Sequence, residues 1–368
     1  MKKSADNSNN KANPKPAQTL LAWYDREKRH LPWRDTRNPY HIWISEVMLQ
    51  QTQVSTVIPY YQRFIKSFPT VENLAKAPLD DVLKLWENLG YYARARNLHQ
   101  AAQVIVEDYG GQLPDNEDEL LALPGIGPYL AGALVSIAFN QPAPAVDANV
   151  KRVLARLFNV NSPIAKTQTQ KEIHCLARGL VPKKRPGDFN QALMDLGARI
   201  CVPRNPQCDQ CPWSELCQAR LHGLEKILPI TGKAKPRPHR QAVGAVIRDD
   251  WGRYLLVRRK NQGLLGGLWK WPGGLLETGE SPGSGLKRWL KEELNLDIRP
   301  GKRLASVDHE FSHFRMTLTL HAAAILKGDA RALGCAEFSW VAADRFGDFA
   351  LAKADRTASH MILEKVLA

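Results

Sequence analysis

The sequence predicts a multidomain chain, an all-helical half followed by a mixed α/β half, on three observations. From Leu20 to about Lys226 apolar residues recur at three- and four-residue spacing, as in DDVLKLWENLGYYARARNLHQAAQVIVEDY and DANVKRVLARLF, the period of helices with one buried face. Near residue 230 that pattern stops at LPITGKAKPRPHR, whose prolines and basic residues describe an exposed linker. Beyond it, short β-branched runs alternate with turns.

Taken in order, residues 1–17 are polar, rich in Asn and Lys, and read as a disordered tail. Residues 18–226 form the helical domain, 227–240 the linker and 241–368 the α/β domain. Within the last, AVGAVIRDDWGRYLLVRR reads as a hairpin, MTLTLHAAAIL as a further strand, and 282–294 and 352–367 as helices. A chain of 368 residues has room for two domains of ordinary size, and no internal repeat is visible. Lys and Arg number 51 against 37 acidic residues, a formal charge of +14 that points to a polyanionic partner. No apolar run approaches the roughly 18 residues that a membrane span needs, so no membrane role is expected. The opening MKKSADNSNNKANPKPAQ has no apolar core of a signal peptide, which implies a reducing, cytoplasmic setting.

Cys201, Cys208, Cys211 and Cys217 stand in a C-x6-C-x2-C-x5-C run inside ICVPRNPQCDQCPWSELCQA. Four soft ligands on such short loops wrap a metal centre. One C-x2-C knuckle flanked by longer arms suits a [4Fe–4S] cubane better than a zinc site, which usually carries two knuckles; zinc is the rival. Cys175 and Cys335 lie outside the run and read as ordinary thiols.

In LLALPGIGPYLAGALVSIAF, Pro124, Gly125, Ile126 and Gly127 separate two apolar helical stretches. Both glycines are expected to take positive φ and let a partner approach the backbone. Pro128 suits the first helical turn, whose free N–H groups form a phosphate site.

LPGIGPYLAGA, then VDANVKRV, then the cysteine loop resemble the helix-hairpin-helix DNA glycosylases that carry an iron–sulfur cluster. PWR at 32–34, SEVMLQQTQV at 45–54 and LGYYARARNL at 89–98 narrow the resemblance to the adenine DNA glycosylases of the MutY type, over nearly the whole chain. The C-terminal half resembles a Nudix domain of the MutT sort. The resemblance implies an all-helical helix-hairpin-helix glycosylase domain with a [4Fe–4S] loop, then a Nudix-like domain. It implies removal of adenine paired with 8-oxoguanine or guanine from double-stranded DNA, by a monomer working at a bacterial-type nucleoid.

The chemistry follows from two carboxyls. Glu46 lies among Trp43, Val47, Met48 and Leu49, where burial raises a carboxyl's pKa and keeps a general acid protonated. Asp147 directly precedes the helix ANVKRVLARLF, whose N–H groups favour the anion. Two carboxyls pushed apart in this way break glycosidic bonds, one protonating the leaving group and one facing an oxocarbenium ion. The resemblance makes Glu46 and Asp147 the catalytic pair, with Asn149 supporting them. Tyr129 stands where bifunctional relatives carry a Schiff-base lysine, so base removal without an obligatory lyase step is expected; the alternative is a bifunctional glycosylase and lyase. Gln51 and Tyr91 match residues that fill the helix beside the orphaned base, and Trp33, Arg34 and Gln191 match positions near the extruded adenine. Arg94, Arg96, Lys151 and Arg152 read as phosphate contacts, and Arg199 and Arg204 as part of a basic surface.

GGLLETGESPGSGLKRWLKEELNLDI resembles a Nudix box with Gly274, Glu280, Arg288, Glu292 and Glu293. Trp289 replaces the metal-binding glutamate and Asn295 the usual glycine, which argues against the alternative of a pyrophosphatase. A domain of that type without hydrolysis suggests lesion reading. The resemblance places it at Phe311, Ser312 and His313, on an exposed turn in DHEFSHFRM.

Overall fold

The computed structural model describes residues 16–232 and 236–367, the side chains of 365–367 excepted. Most of the expected tail, and 233–235 of the expected linker, lie outside the described residues. The helix Pro16–Glu27 begins inside the expected tail, because Leu20, Trp23 and Tyr24 bury one face of it and Trp213 Nε1 donates to Pro16 O at 2.9 Å. The chain gathers into two compact units, neither contiguous in sequence. The first comprises residues up to Glu46 together with Leu113–Lys233, and the second Val47–Gln112 together with the C-terminal half.

The first unit is helical: Glu117–Ala122, Pro128–Ile137, Ala148–Leu157, Thr167–Leu180 and Pro186–Arg199 follow the opening helix. Leu20, Trp23, Val150, Leu154, Phe189, Leu193 and Trp213 share one core. Cys201, Cys211 and Cys217 pack against its edge. The helix Pro186–Arg199 crosses Ala148–Leu157 closely enough that a Cβ on Gly197 would sit 2.7 Å from Asn149 Cβ. Glycine there sets the depth at which Asn149 lies.

The second unit joins the helices Val54–Ser67, Val71–Lys76, Leu79–Leu85 and Ala93–Tyr109 to the C-terminal domain. That domain carries β1 (His239–Val246), β2 (Tyr254–Arg258), β3 (Trp269–Lys270), β4 (Gly273–Leu275), β5 (Asp297–Glu310), β6 (Arg315–Lys327) and β7 (Glu337–Val341). They form two sheets, ordered β4-β1-β6-β5 and β3-β2-β7. The expected hairpin at 242–259 turns at Asp249–Gly252, closed by the Arg248–Tyr254 bridge, Asp249 N donating to Arg253 O at 2.9 Å and Leu255 N to Ile247 O at 3.1 Å, after which β1 and β2 part into different sheets. Alternation of apolar residues identified both strands but could not tell which neighbours each would pair with. The helices Pro282–Leu294 and Lys353–Leu367 stand where expected. Leu286, Leu290 and Leu294 drive the first into a core with Val243, Ala245 and Leu255.

Helical segments and C-terminal domain are joined by charge as well as by packing. Arg356 pairs with Glu87 at 2.6 and 3.0 Å, both side chains largely covered, and Arg258 with Asp80 at 2.8 Å. Arg96 donates to Gly263 O and Gly266 O, each at 2.8 Å. Arg96, expected at phosphate, is thus occupied by protein carbonyls.

Candidate active site, cysteine loop and base-reading cavity

Glu46 sits on the helix Pro39–Leu49 and is 5% exposed. Its neighbours there, Trp43 and Ile44 among them, are fully buried, so the helix has no polar face for it to share. Tyr129, second residue of the helix Pro128–Ile137, donates its hydroxyl to Glu46 Oε2 at 2.5 Å. Burial pushes the Glu46 carboxyl above its usual range; the Tyr129 hydrogen bond and the Arg34 charge oppose this, and the charge of Asp147 adds to it. The Tyr129 phenol is raised well above its ordinary value by burial and then by both carboxylates, so it stays a donor.

Asp147 caps the helix Ala148–Leu157 as expected: Oδ1 accepts from Val150 N at 2.7 Å and Oδ2 from Asn149 Nδ2 at 3.0 Å. Such a cap is worth about 1 kcal/mol to the helix. Its electrostatic consequence differs from expectation. Burial raises the Asp147 carboxyl, and the bonds from Val150 and Asn149, with the charge of Arg152, do not offset it. The helix-end donors do not make up for the water that the buried carboxyl has lost. The extended segment delivering Asp147 is pinned by Asn190, which takes Ala145 N at 3.2 Å and donates to Ala143 O and Ser136 Oγ at 2.8 Å.

Arg34 donates to both oxygens of Asp195, at 2.8 and 3.1 Å, and Arg29 donates to the same carboxylate. Asp195 is fully buried; burial would raise it, but the two guanidiniums hold it below the usual range. The sequence missed Asp195 and Asn190. Their only signal was a polar residue on an otherwise apolar face of one helix, a pattern with many bland readings. Trp33 is buried, and Gln191 is half-buried on the same helix as Met194, whose sulfur lies 3.6 Å from the Tyr129 hydroxyl.

In the hairpin before Tyr129, Gly125 takes φ +78°, whereas Gly127 is extended at −100°. The expectation of positive φ at both is therefore corrected: Gly127 is the residue flanking the helix start, and flanking residues are extended. A Cβ there would meet nothing within 4 Å, which leaves the helix N–H groups open.

The four cysteines carry free thiols and, with Arg156, Ser214, Arg220 and Glu225, ring one small cavity. Among the described residues no three acidic, His or Cys groups converge as ligands of a single ion. A shared hollow with donors on its rim fits a cubane cluster better than one zinc ion. Burial and the charges of the other thiols push Cys211 up to about 12 and raise Cys208 and Cys217, shifts that a bound cationic centre would oppose. Buried Arg156 donates to Cys201 Sγ at 3.3 Å and to Val202 O at 2.8 Å. Arg152 donates to Cys201 O at 2.7 Å, Gly197 O at 2.7 Å and Asn149 Oδ1 at 2.9 Å. Arg152 is thus committed to the interior, not to phosphate as expected.

In the second unit, Gln51 and Tyr91 stand at exposed tips with φ of +58° and +49°. Side-chain-bearing residues rarely adopt that region, and surroundings must hold them there. Arg94 does so. Its guanidinium donates to Val47 O, Met48 O and Gln50 O on one tip and to Leu89 O and Gly90 O on the other. Burial lowers its pKa to about 10. Arg94 is therefore a half-buried clamp on protein carbonyls, not the expected phosphate contact.

Phe311, Ser312, His313 and Phe314 turn the chain between β5 and β6, with Phe311 N donating to Phe314 O at 2.9 Å and the two rings stacked 4.6 Å apart. A cavity of about 660 Å³ opens beside this turn, and Tyr91, Phe311, Ser312, Trp271, Trp289 and Lys270 are on its wall. His313 is not among the residues of that wall and meets Ser312 Oγ through Nδ1 at 3.0 Å.

Residues 44–178 match the HhH-GPD superfamily of base excision DNA repair proteins, 201–217 the iron–sulfur binding domain of endonuclease III, and 242–361 the NUDIX domain. A human adenine DNA glycosylase is 38% identical over 83% of this chain, which spans 66% of the human protein. One from Buchnera aphidicola (subsp. Baizongia pistaciae) is 36% identical, with 81% of this chain and 83% of that protein covered. The solved structure of a thermostable thymine-DNA glycosylase shares 37% identity and a TM-score of 0.52 over 56% of this chain and 95% of its own. A buried acid beside a capped aspartate, a four-cysteine cavity and these matches place the chain among the adenine DNA glycosylases, base-excision repair enzymes that carry an iron–sulfur cluster.

Proposed function

We propose that the enzyme releases adenine opposite 8-oxoguanine, or guanine, and leaves the abasic strand intact. The observation that carries the chemistry is the buried Glu46, paired with a phenol and with no cation of its own. With its pKa raised by burial, the carboxyl is suited to give its proton to the departing base. Asp147, fixed by Val150 N–H and Asn149, carries the negative charge that faces the developing cationic sugar. Its raised pKa requires that charge to be stabilised by the sugar cation itself, so the pair works best as the bond breaks. Tyr129 offers no amine, which supports hydrolysis over Schiff-base chemistry.

The reading of the opposite base rests on the cavity that Tyr91 shares with Phe311 and Ser312. Tyr91 and Gln51, held at strained tips, are suited to wedge beside an orphaned base, and the Ser312 hydroxyl to bond its altered edge. Cys201, Cys208, Cys211 and Cys217 hold the [4Fe–4S] cluster, which when bound supplies a rigid centre for the surrounding basic loop and no redox step in hydrolysis. The enzyme acts as a cytoplasmic monomer on duplex DNA.

The test is a single-turnover assay on duplexes carrying adenine opposite 8-oxoguanine, guanine or thymine. Adenine release with the order 8-oxoguanine, guanine, thymine is expected, with strand breaks appearing only after added base or heat. Strand cleavage keeping pace with adenine release would overturn the monofunctional reading. Because Val47–Gln112 pack with the C-terminal half, substitution of Ser312 tests base reading more cleanly than truncation does.

A further inference from the structure

A Nudix fold implies a divalent cation held by glutamates of its box, and the residues here do not fit one. Among the described residues no cluster of acidic, His or Cys groups forms an ion site. All four glutamates between Gly273 and Leu294 are instead paired with cations of the same domain. Arg288 holds Glu280 at 2.8 and 2.7 Å and lies 3.9 and 3.6 Å from Glu277 and Glu292. Glu293, 4% exposed, pairs with the Lys270 ammonium at 2.6 Å.

Lys270 is itself 7% exposed and also donates to Gly273 O, while Gly273 N donates to Glu293 Oε2 at 3.1 Å. A carboxylate and a backbone carbonyl are the oxygen donors that Mg²⁺ or Mn²⁺ would take. Trp289 completes the substitution. Its indole lies over Gly274, where a Cβ would come within 2.4 Å, and its N–H is satisfied by Leu275 O at 2.9 Å. The Lys270 ammonium sits 5.2 Å from the Trp289 ring centre, a favourable cation–π distance. Burial pulls the ammonium's pKa below its usual value, and the charge of Glu293 offsets this only in part.

We propose that Lys270 is the resident cation of this site, taking the place of a divalent metal and making the C-terminal domain metal-independent. This stands apart from the reading of the opposite base, since it concerns only what neutralises Glu293. It also separates the two tasks of the fold: the cavity wall stays charged and ordered, but nothing remains to activate water against a phosphate.

Full-length, cluster-loaded protein is titrated with Mn²⁺ alone, following free Mn²⁺ by electron paramagnetic resonance and the thermal transition in parallel. The wild type should leave millimolar Mn²⁺ free, with the same transition in EDTA. Lys270→Gln should take up one Mn²⁺ per chain and regain thermal stability with it, and adding Glu293→Gln should abolish both. If Lys270→Gln does not fold, wild type against Glu293→Gln decides: the substitution should cost the same stability with and without Mn²⁺. A wild type that binds one Mn²⁺, lost with Glu293→Gln, would overturn the proposal, as would a folded Lys270→Gln that acquires none.

Discussion

Glu46 and Glu293 are both glutamates of helices, 5% and 4% exposed, yet their surroundings give them opposite characters. Glu293 meets an ammonium at 2.6 Å and is locked as one half of an ion pair. Glu46 meets only a phenol at 2.5 Å, while the guanidinium of Arg34 is spent on Asp195. Burial alone therefore does not make a carboxyl reactive. Burial without a dedicated cation leaves its charge unbalanced, and the group keeps a proton that it can give away. One helix holds an acid, the other a spent metal site.

The largest effect that would break this contrast is catalytic. Glu46→Gln and Asp147→Asn should each slow adenine release by about 10²–10⁴-fold, the usual contribution of such groups, with duplex binding largely retained. Near-normal single-turnover rates in either variant would end the assignment. On the other side, Glu293→Ala leaves Lys270 buried and unpaired and should destabilise its unit by about 3–5 kcal/mol, read by denaturant unfolding. An unchanged midpoint would mean that the pair is not an electrostatic keystone.

Smaller effects sharpen the comparison. Ser312→Ala should reduce preference for 8-oxoguanine over guanine by about 1 kcal/mol, roughly five-fold, without changing the rate opposite guanine. Tyr129→Phe removes the hydrogen bond that lowers the Glu46 pKa, so the alkaline limb of the rate–pH profile should move to higher pH. A limb unmoved in that variant would place the titration elsewhere. The last effect is on stability. Glu46 has a folded pKa above 4.5, so the unfolded chain releases its proton first and burial costs stability as pH rises past that value. Glu46→Gln should therefore raise the melting temperature at neutral pH and leave it unchanged well below 4.5. The sign differs from that of Glu293→Ala, which is the contrast reduced to a single measurement.

Chemistry confined to one stretch of chain was legible before any coordinates. The cysteine spacing, the P-G-x-G hairpin and the aspartate ahead of its helix each state a local geometry: the cysteines ring one cavity and Asp147 caps its helix, while of the two hairpin glycines only Gly125 takes positive φ. Phosphate contacts read from Arg94, Arg96 and Arg152 failed together and for one reason. A guanidinium's five donors serve carbonyls as well as phosphates, and which it meets depends on loops far away in sequence. Asp195 and Lys270 were invisible for the same reason, since each matters only through a partner more than twenty residues away.

Sequence by itself determined the order of elements and the spacing of the four cysteines, which rest on periodicity and short-range spacing, and its motifs carried the resemblance that singled out the family and the two carboxyls proposed as catalytic. Tertiary structure decided the rest. It chose which segments share a unit, grouping Val47–Gln112 with the C-terminal half, and it sent β1 and β2 to separate sheets. It raised Asp147 where its helix cap alone would have lowered it. It gave Glu46 a phenol and Glu293 an ammonium. Desolvation and pairing are sums over everything within a few ångströms, and proximity of that kind is written only when the chain has folded.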